Sequence, residues 1–180
     1  MDANAAVGAT EGEGSAGSLR WRLGAGPPGW RRLTLAGDID ENAELSQLFS
    51  HLGGKLEIDL AGVERINSCG VREWVHFLRQ VDEGTTLRFS RCSPAIVNQL
   101  NAVSNFRGDA QIESFLAPYT CERCGADELR LLLPNVHFVP LREPLVAPVF
   151  PCEQCGDVMA LDELPDRYLT FLFELAGAHG

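Results

Sequence analysis

Four of the six cysteines in this 180-residue chain occur in two matching words, CERCG (Cys121–Gly125) and CEQCG (Cys152–Gly156). A Cys-x-x-Cys turn aims two sulfurs at one point, so two such turns offer Cys121, Cys124, Cys152 and Cys155 as a tetrahedral thiolate set suited to zinc. Glycine after the second cysteine suits a positive-φ turn in which backbone N–H groups point at sulfur. With all four positions taken by thiolate no site remains for a catalytic water, so such a metal is structural. The rival chemistries are a thioredoxin-type redox pair and two disulfides. The first should open a helix inside a βαβ unit, whereas Pro134, Pro140, Pro144, Pro148 and Pro151 surround these pairs. The second is disfavoured in a reducing cytoplasm. His51, His76, His137 and His179 have no ligand spacing among themselves, and His137 is at best a reserve ligand.

The second chemical feature is Ser68, in the turn Asn67-Ser68-Cys69-Gly70. Leu56, Ile58 and Leu60 alternate as in a strand with one buried face, while Val71, Trp74, Val75 and Leu78 recur at helical spacing. A helix opening near Gly70 leaves backbone N–H groups unpaired and a positive dipole end at the turn, which would hold an anion carried by Ser68. Serine at this place also caps helices, a role compatible with modification. Cys69 and Cys92 read as buried structural thiols.

Several elements must position these groups. Ser18–Leu23 alternates like a strand and Gly24–Gly29 turns it into a second, WRRLTLAG. Leu45, Leu48, Phe49 and Leu52 predict a helix with Asp40 as N-cap and Gly53-Gly54 as its stop. Ser93-Pro94 supplies an N-cap and N1 proline for a helix burying Ile96, Val97, Leu100 and Val103. The order β-β-α-β-α-β-α implies a mixed sheet covered by helices, with Trp74 and Phe77 in its core. Glu128–Leu133 and Val136–Leu141 are strand candidates between the cysteine pairs. The segment LDELPDRYLTFLFELAG predicts a helix from Asp162 or Pro165 to Gly177, apolar over more than one face. Such a helix must be buried, against the chain's own domains or, alternatively, in an oligomeric or partner surface.

The pieces between Arg31 and Leu116 stand in the order of a known family: LTLAGDIDENAEL, LEIDLAGV, INSCG with its helix, TLRFS and CSPAIVNQLNAV. They resemble the STAS domain shared by anti-sigma-factor antagonists and sulfate transporters. The resemblance implies an α/β fold, a STAS-like mixed β-sheet flanked by helices. It also implies a partner surface at Asp38, Asp40, Asn42, Asn67, Ser68, Cys69 and Gly70. In regulatory members a partner kinase, itself an anti-sigma factor, phosphorylates the serine of an Asp-Ser-x-Gly turn. Ser68 matches that serine and Gly70 the glycine, while Asn67 stands in the aspartate's place. The cysteine segment, 27 residues lying between its two pairs, resembles a zinc ribbon.

Charge and composition narrow the function. The net charge of −10 divides as −3 over residues 1–18, −1 over 19–117 and −6 over 118–180. An acidic C-terminal module argues against binding phosphate backbones, and zinc held by four thiolates would make it more acidic. No apolar run approaches the roughly 20 residues of a bilayer span, and MDANAAVGATEGEGSAGS lacks the features of a signal peptide, so the expected location is the cytoplasm; the anti-sigma-factor resemblance implies that of a bacterium. There is no GxxxxGK[ST], GxSxG or His-Glu-x-x-His, so no enzyme is expected. The expected organisation is a disordered tail (1–18), a STAS-like domain (19–117), a four-cysteine zinc-ribbon module (118–160), and a C-terminal helix and tail (161–180). The leading function is a cytoplasmic signalling module, resembling an anti-sigma-factor antagonist and switched at Ser68. The alternatives are a constitutive scaffold or accessory subunit of a larger assembly, a transporter included, and, third, a nucleic-acid-binding factor.

Overall fold

A computed structural model of the chain describes residues 11–45 and 52–177. The strands of the first sheet are β1 (Gly12–Ala16), β2 (Leu19–Ala25), β3 (Arg31–Ile39), β4 (Lys55–Ile66), β5 (Thr86–Ser90) and β6 (Gln111–Ile112). They lie side by side in chain order, antiparallel through β3 and parallel from β3 to β6. Parallel neighbours need crossovers, and two of these carry α1 (Ser68–Gln80) and α2 (Pro94–Ala102). The expected helix across Leu45–Leu52 falls largely outside the described residues, although Leu45 and Leu52 are themselves buried.

Alternation places Leu33, Leu35, Leu56, Ile58 and Phe89 on one side of the sheet, where Trp74 and Phe77 of α1 and Ile96, Val97 and Leu100 of α2 close over them. Trp74 stacks on Phe106 at 5.7 Å and satisfies its indole N–H by donating to the Phe106 carbonyl. The other side is polar, yet Glu57 and Asp59 are also buried there, each side chain only 3% exposed. Arg32 and Arg88 grip Glu57 from the flanking strands, and Arg91 pairs with Asp59. Burial raises the Glu57 pKa, but the two guanidiniums outweigh it and hold the carboxyl below its ordinary range.

A second sheet, antiparallel throughout, has the order β8-β7-β10-β9, from β7 (Phe115–Cys121), β8 (Asp127–Leu132), β9 (Phe150–Pro151) and β10 (Val158–Leu161). It is continuous with the first. Glu113 N–H donates to Phe89 O, Cys92 N–H to Ser114 O and Leu116 N–H to Cys92 O, so the chain runs alongside the extension of β5 straight into β7. The expected boundary at residue 117 therefore lies inside a strand, and one apolar cluster runs from Leu19 to Leu172.

Other expectations are corrected. Gly12–Ala16, within the supposed tail, forms a strand because backbone pairing with β2 needs no apolar side chains, and Gly12 and Gly14 let the Trp21 ring lie against β1. Residues 1–10 fall outside the described residues. Val136–Leu141 is not a strand: Pro134 opens the short turn α3 (Pro134–His137), and His137 accepts the Leu133 N–H. The C-terminal segment is two pieces, α4 (Pro165–Tyr168) and α5 (Phe171–Gly177), broken at Leu169-Thr170. Asn101 of α2 pins the break, donating to the Tyr168 carbonyl and accepting from Thr170 Oγ1 and the Phe171 N–H. Tyr168, Leu169, Phe171 and Leu172 are thereby buried in the chain's own core.

Candidate metal centre and Ser68 turn

The β7–β8 and β9–β10 connections are the two cysteine turns, and pairing of β7 with β10 brings them face to face. In each turn the glycine N–H closes the loop by donating to the first cysteine's carbonyl, at 2.8 Å for both Gly125 and Gly156. Both glycines take positive φ, 71° and 76°, as such a turn requires. The sulfurs of Cys121, Cys124, Cys152 and Cys155 all lie within 4.8 Å of one another. The nearest approaches cross between turns: Cys121 to Cys155 is 3.5 Å and Cys124 to Cys152 is 3.6 Å. All four are free cysteines. The backbone N–H groups of Cys155 and Gln154 draw the Cys152 thiol down to about 7. A group of four sulfurs at these separations can hold a metal ion. His137 lies outside this cluster, bonded to the Leu133 backbone.

The Ser68 turn is built by Asn67, whose role the sequence reading gave to serine. Asn67 is the N-cap: its Oδ1 accepts the Gly70 N–H at 2.8 Å, while its Nδ2 donates to Glu41 at 3.0 Å. Ser68 is the first helical residue, exposed, with its hydroxyl outside the cap. Cys69 is exposed, contrary to expectation, because the helix turns Gly70 and Trp74 inward instead. Gly70 is buried against the end of β3, and the Asn67 N–H donates to Ile39 O across the same contact. Neither the Ser68 nor the Cys69 N–H has a protein acceptor among the described residues, the usual condition of a helix's first turn. Cys92, by contrast, is fully buried, which pushes its thiol pKa up.

A groove of about 460 Å³ opens beside this turn, lined by Asp38, Asp40, Arg65, Asn67, Asn98 and Gln99 among others. The fold thus brings Asp38, Asp40 and Asn67 to one wall, with Ser68 and Cys69 exposed at the adjoining helix start. Asp38 is ion-paired with Arg65 at 2.7 Å, and Asp40 Oδ1 accepts the Asn42 N–H. Asn42 itself packs against Gly17 of the β1–β2 turn and does not line the groove. Sequence reasoning missed Glu41, Arg65, Asn98 and Gln99. The charged pair Glu64-Arg65 just before INSCG was a readable signal for Arg65; Glu41, in the separate turn after β3, and an outward amide pair on α2 gave none. The geometry presents a polar groove, a modifiable hydroxyl and a four-cysteine cluster. No family model, curated protein or solved structure gave a match to this chain.

Proposed function

We propose that this chain is a non-enzymatic, STAS-like regulatory binding module. Its partner surface is the groove and Ser68 turn, and a structural zinc ion braces its C-terminal, ribbon-like sheet. The observation that carries the reading is the exposed Ser68 hydroxyl at the first position of α1, with Asn67 doing the capping and leaving serine free for modification. A phosphate on Ser68 would add about −1.5 to −2 charge. It would meet the unpaired first-turn N–H groups, and Arg72, one turn along the same helix face, is placed to pair with it. Asp40, Glu41 and Glu64 surround the same turn, so the added charge would be repelled on the groove side and would change what that surface accepts. The matching partner is a protein, an anti-sigma-factor-like kinase on the STAS resemblance, and the setting is the bacterial cytoplasm.

Zinc fits the thiolate cluster. Zn–S bonds of about 2.3 Å in a tetrahedron place sulfurs roughly 3.8 Å apart, close to the separations observed here. Cys121, Cys124, Cys152 and Cys155 would hold the ion, whose contribution is to tie the two turns together.

The test is the affinity of the partner recovered with the native chain for the wild type and for Ser68→Glu. The switch requires at least about a tenfold difference, 1.4 kcal/mol. Equal affinities would remove it and favour the second reading, a constitutive scaffold, which draws on the single core shared by the two sheets.

A further inference from the structure

The exposed edge of the second sheet is unlike that of the first. β1, at one end of the first sheet, turns Glu13 and Ser15 outward between glycines. β8 is six residues long and exposes Leu129 and Leu131, 53% and 45% accessible. Leu129 stands opposite Pro118 and Leu131 opposite Leu116 on β7, and Ala160 of β10 opposite Thr120, so these apolar residues share one sheet face with Val158. A long edge with an apolar row is what folded proteins ordinarily cover or blunt with charge.

The backbone has a definite polarity at this edge. Cys121 N–H donates to Ala126 O, and antiparallel pairing alternates, so Ala126, Glu128, Arg130 and Leu132 turn their backbone groups toward β7. Asp127, Leu129 and Leu131 turn theirs outward. No other element bonds to them among the described residues.

We propose that β8 pairs antiparallel with β8 of a second copy of this chain, centred on Leu129 opposite Leu129. This register uses only the outward backbone groups. It also sets Glu128 of each copy opposite Arg130 of the other, so opposite charges meet twice across the two-fold axis. Moving the centre by one residue to Glu128 or Arg130 would put like charges directly opposite. A register that set odd-numbered residues against even-numbered ones would need backbone groups already engaged by β7. In the single chain Glu128 Oε1 and Arg130 form an in-strand ion pair, and Arg130 also donates to the Pro151 carbonyl and lies over the Phe150 ring, with its Nε buried and without a hydrogen bond. A second strand gives each a new partner. The pairing would join two second sheets into one and lay Leu129 of each copy against the other.

Sedimentation equilibrium of the full chain, loaded with zinc, tests this, with far-UV circular dichroism and metal content as controls for folding. The wild type is expected to dimerise by about 100 µM, a modest affinity for a two-strand contact. Leu129→Pro removes an outward N–H that β7 does not use, a change that edge strands tolerate, and should weaken the dimer at least about tenfold. Glu128→Arg and Arg130→Glu should each be monomeric alone and dimerise when mixed, because mixing restores opposite charges at both crossings. A wild-type monomer at that concentration, or a dimer that Leu129→Pro leaves intact, overturns the proposal.

Discussion

Gly70 is pressed against the carbonyl of Ile39 so closely that a Cβ on Gly70 would lie 1.9 Å from the Ile39 oxygen. The start of α1 and the end of β3 are therefore in backbone contact. That contact sets the position of the Ser68 turn relative to the Asp38 and Asp40 wall of the groove. The atom in the way is backbone and cannot swing aside, so Gly70→Ala should destabilise the fold by at least about 2 kcal/mol despite alanine's better helix propensity. Urea denaturation measures it, and a neutral or stabilising substitution would contradict the contact.

Asn67 serves α1 with its oxygen and Glu41 with its nitrogen. Its hydrogen bond is the main influence holding the Glu41 carboxyl below its ordinary value of 4.5. Asn67→Ala should cost about 1 kcal/mol for the lost cap. Asn67→Asp keeps a capping acceptor but replaces Glu41's donor with a like charge. Glu41 should then titrate above its ordinary value, as an NMR pH titration would read directly. An unchanged Glu41 would show that the amide does not control it.

Glu57 predicts how stability depends on pH. Its carboxyl is held below 4.5 when folded, so between the folded pKa and 4.5 the unfolded chain binds more protons. The stabilisation from Arg32 and Arg88 is complete above about 4.5 and is lost as pH falls through the folded value. Glu57→Gln removes the carboxylate that both guanidiniums share; Arg88 keeps Glu113 and the Trp30 ring and Arg32 reaches water, so the cost should be about 1–3 kcal/mol at neutral pH. The gap from wild type in urea midpoint should narrow on acidification; a constant gap would mean that ionisation of Glu57 contributes nothing.

These buried carboxylates illustrate what could and could not be read from the residues. Alternation in LEIDLAGV correctly marks Leu56, Ile58 and Leu60 as core, but the same period assigns Glu57 and Asp59 to solvent. They are covered because Arg32 and Arg88 on the neighbouring strands and Arg91 just past the end of β5 meet them, a pairing that requires the sheet order. The Ser93-Pro94 helix start was legible because it is local geometry, and the convergence of the two cysteine turns because two Cys-x-x-Cys words make one tetrahedral set only when they meet. β1 was not, since a glycine-rich strand is held by backbone bonds that leave no side-chain pattern. Nor was the choice of Asn67 over Ser68 as cap, which a one-residue shift of the helix start reverses.

Asn101 ties the C-terminal pieces to α2 through contacts at Tyr168, Thr170 and Phe171. Asn101→Ala should leave the Tyr168 carbonyl and Phe171 N–H without partners and cost about 2 kcal/mol. Hydrogen exchange should accelerate first across residues 165–177. Uniform acceleration over the whole chain would show instead that this segment unfolds only with the core.

Removing the proposed zinc should loosen the second sheet, because binding and folding are coupled at such a site. Cys121→Ser or Cys152→Ser, or treatment with a strong chelator, is expected to open residues 118–160 to protease and release one zinc per chain. A protease-resistant second sheet in the metal-free variants would sink the structural role.

The most direct measurement is the intact native mass of the chain isolated from its own cells, followed by mapping of any modified residue. The expected result is a chain carrying one zinc, with a fraction phosphorylated at Ser68 and a kinase-like protein bound to one of the two forms. A zinc-loaded chain never modified at Ser68, recovered only within a larger assembly, would contradict the switch.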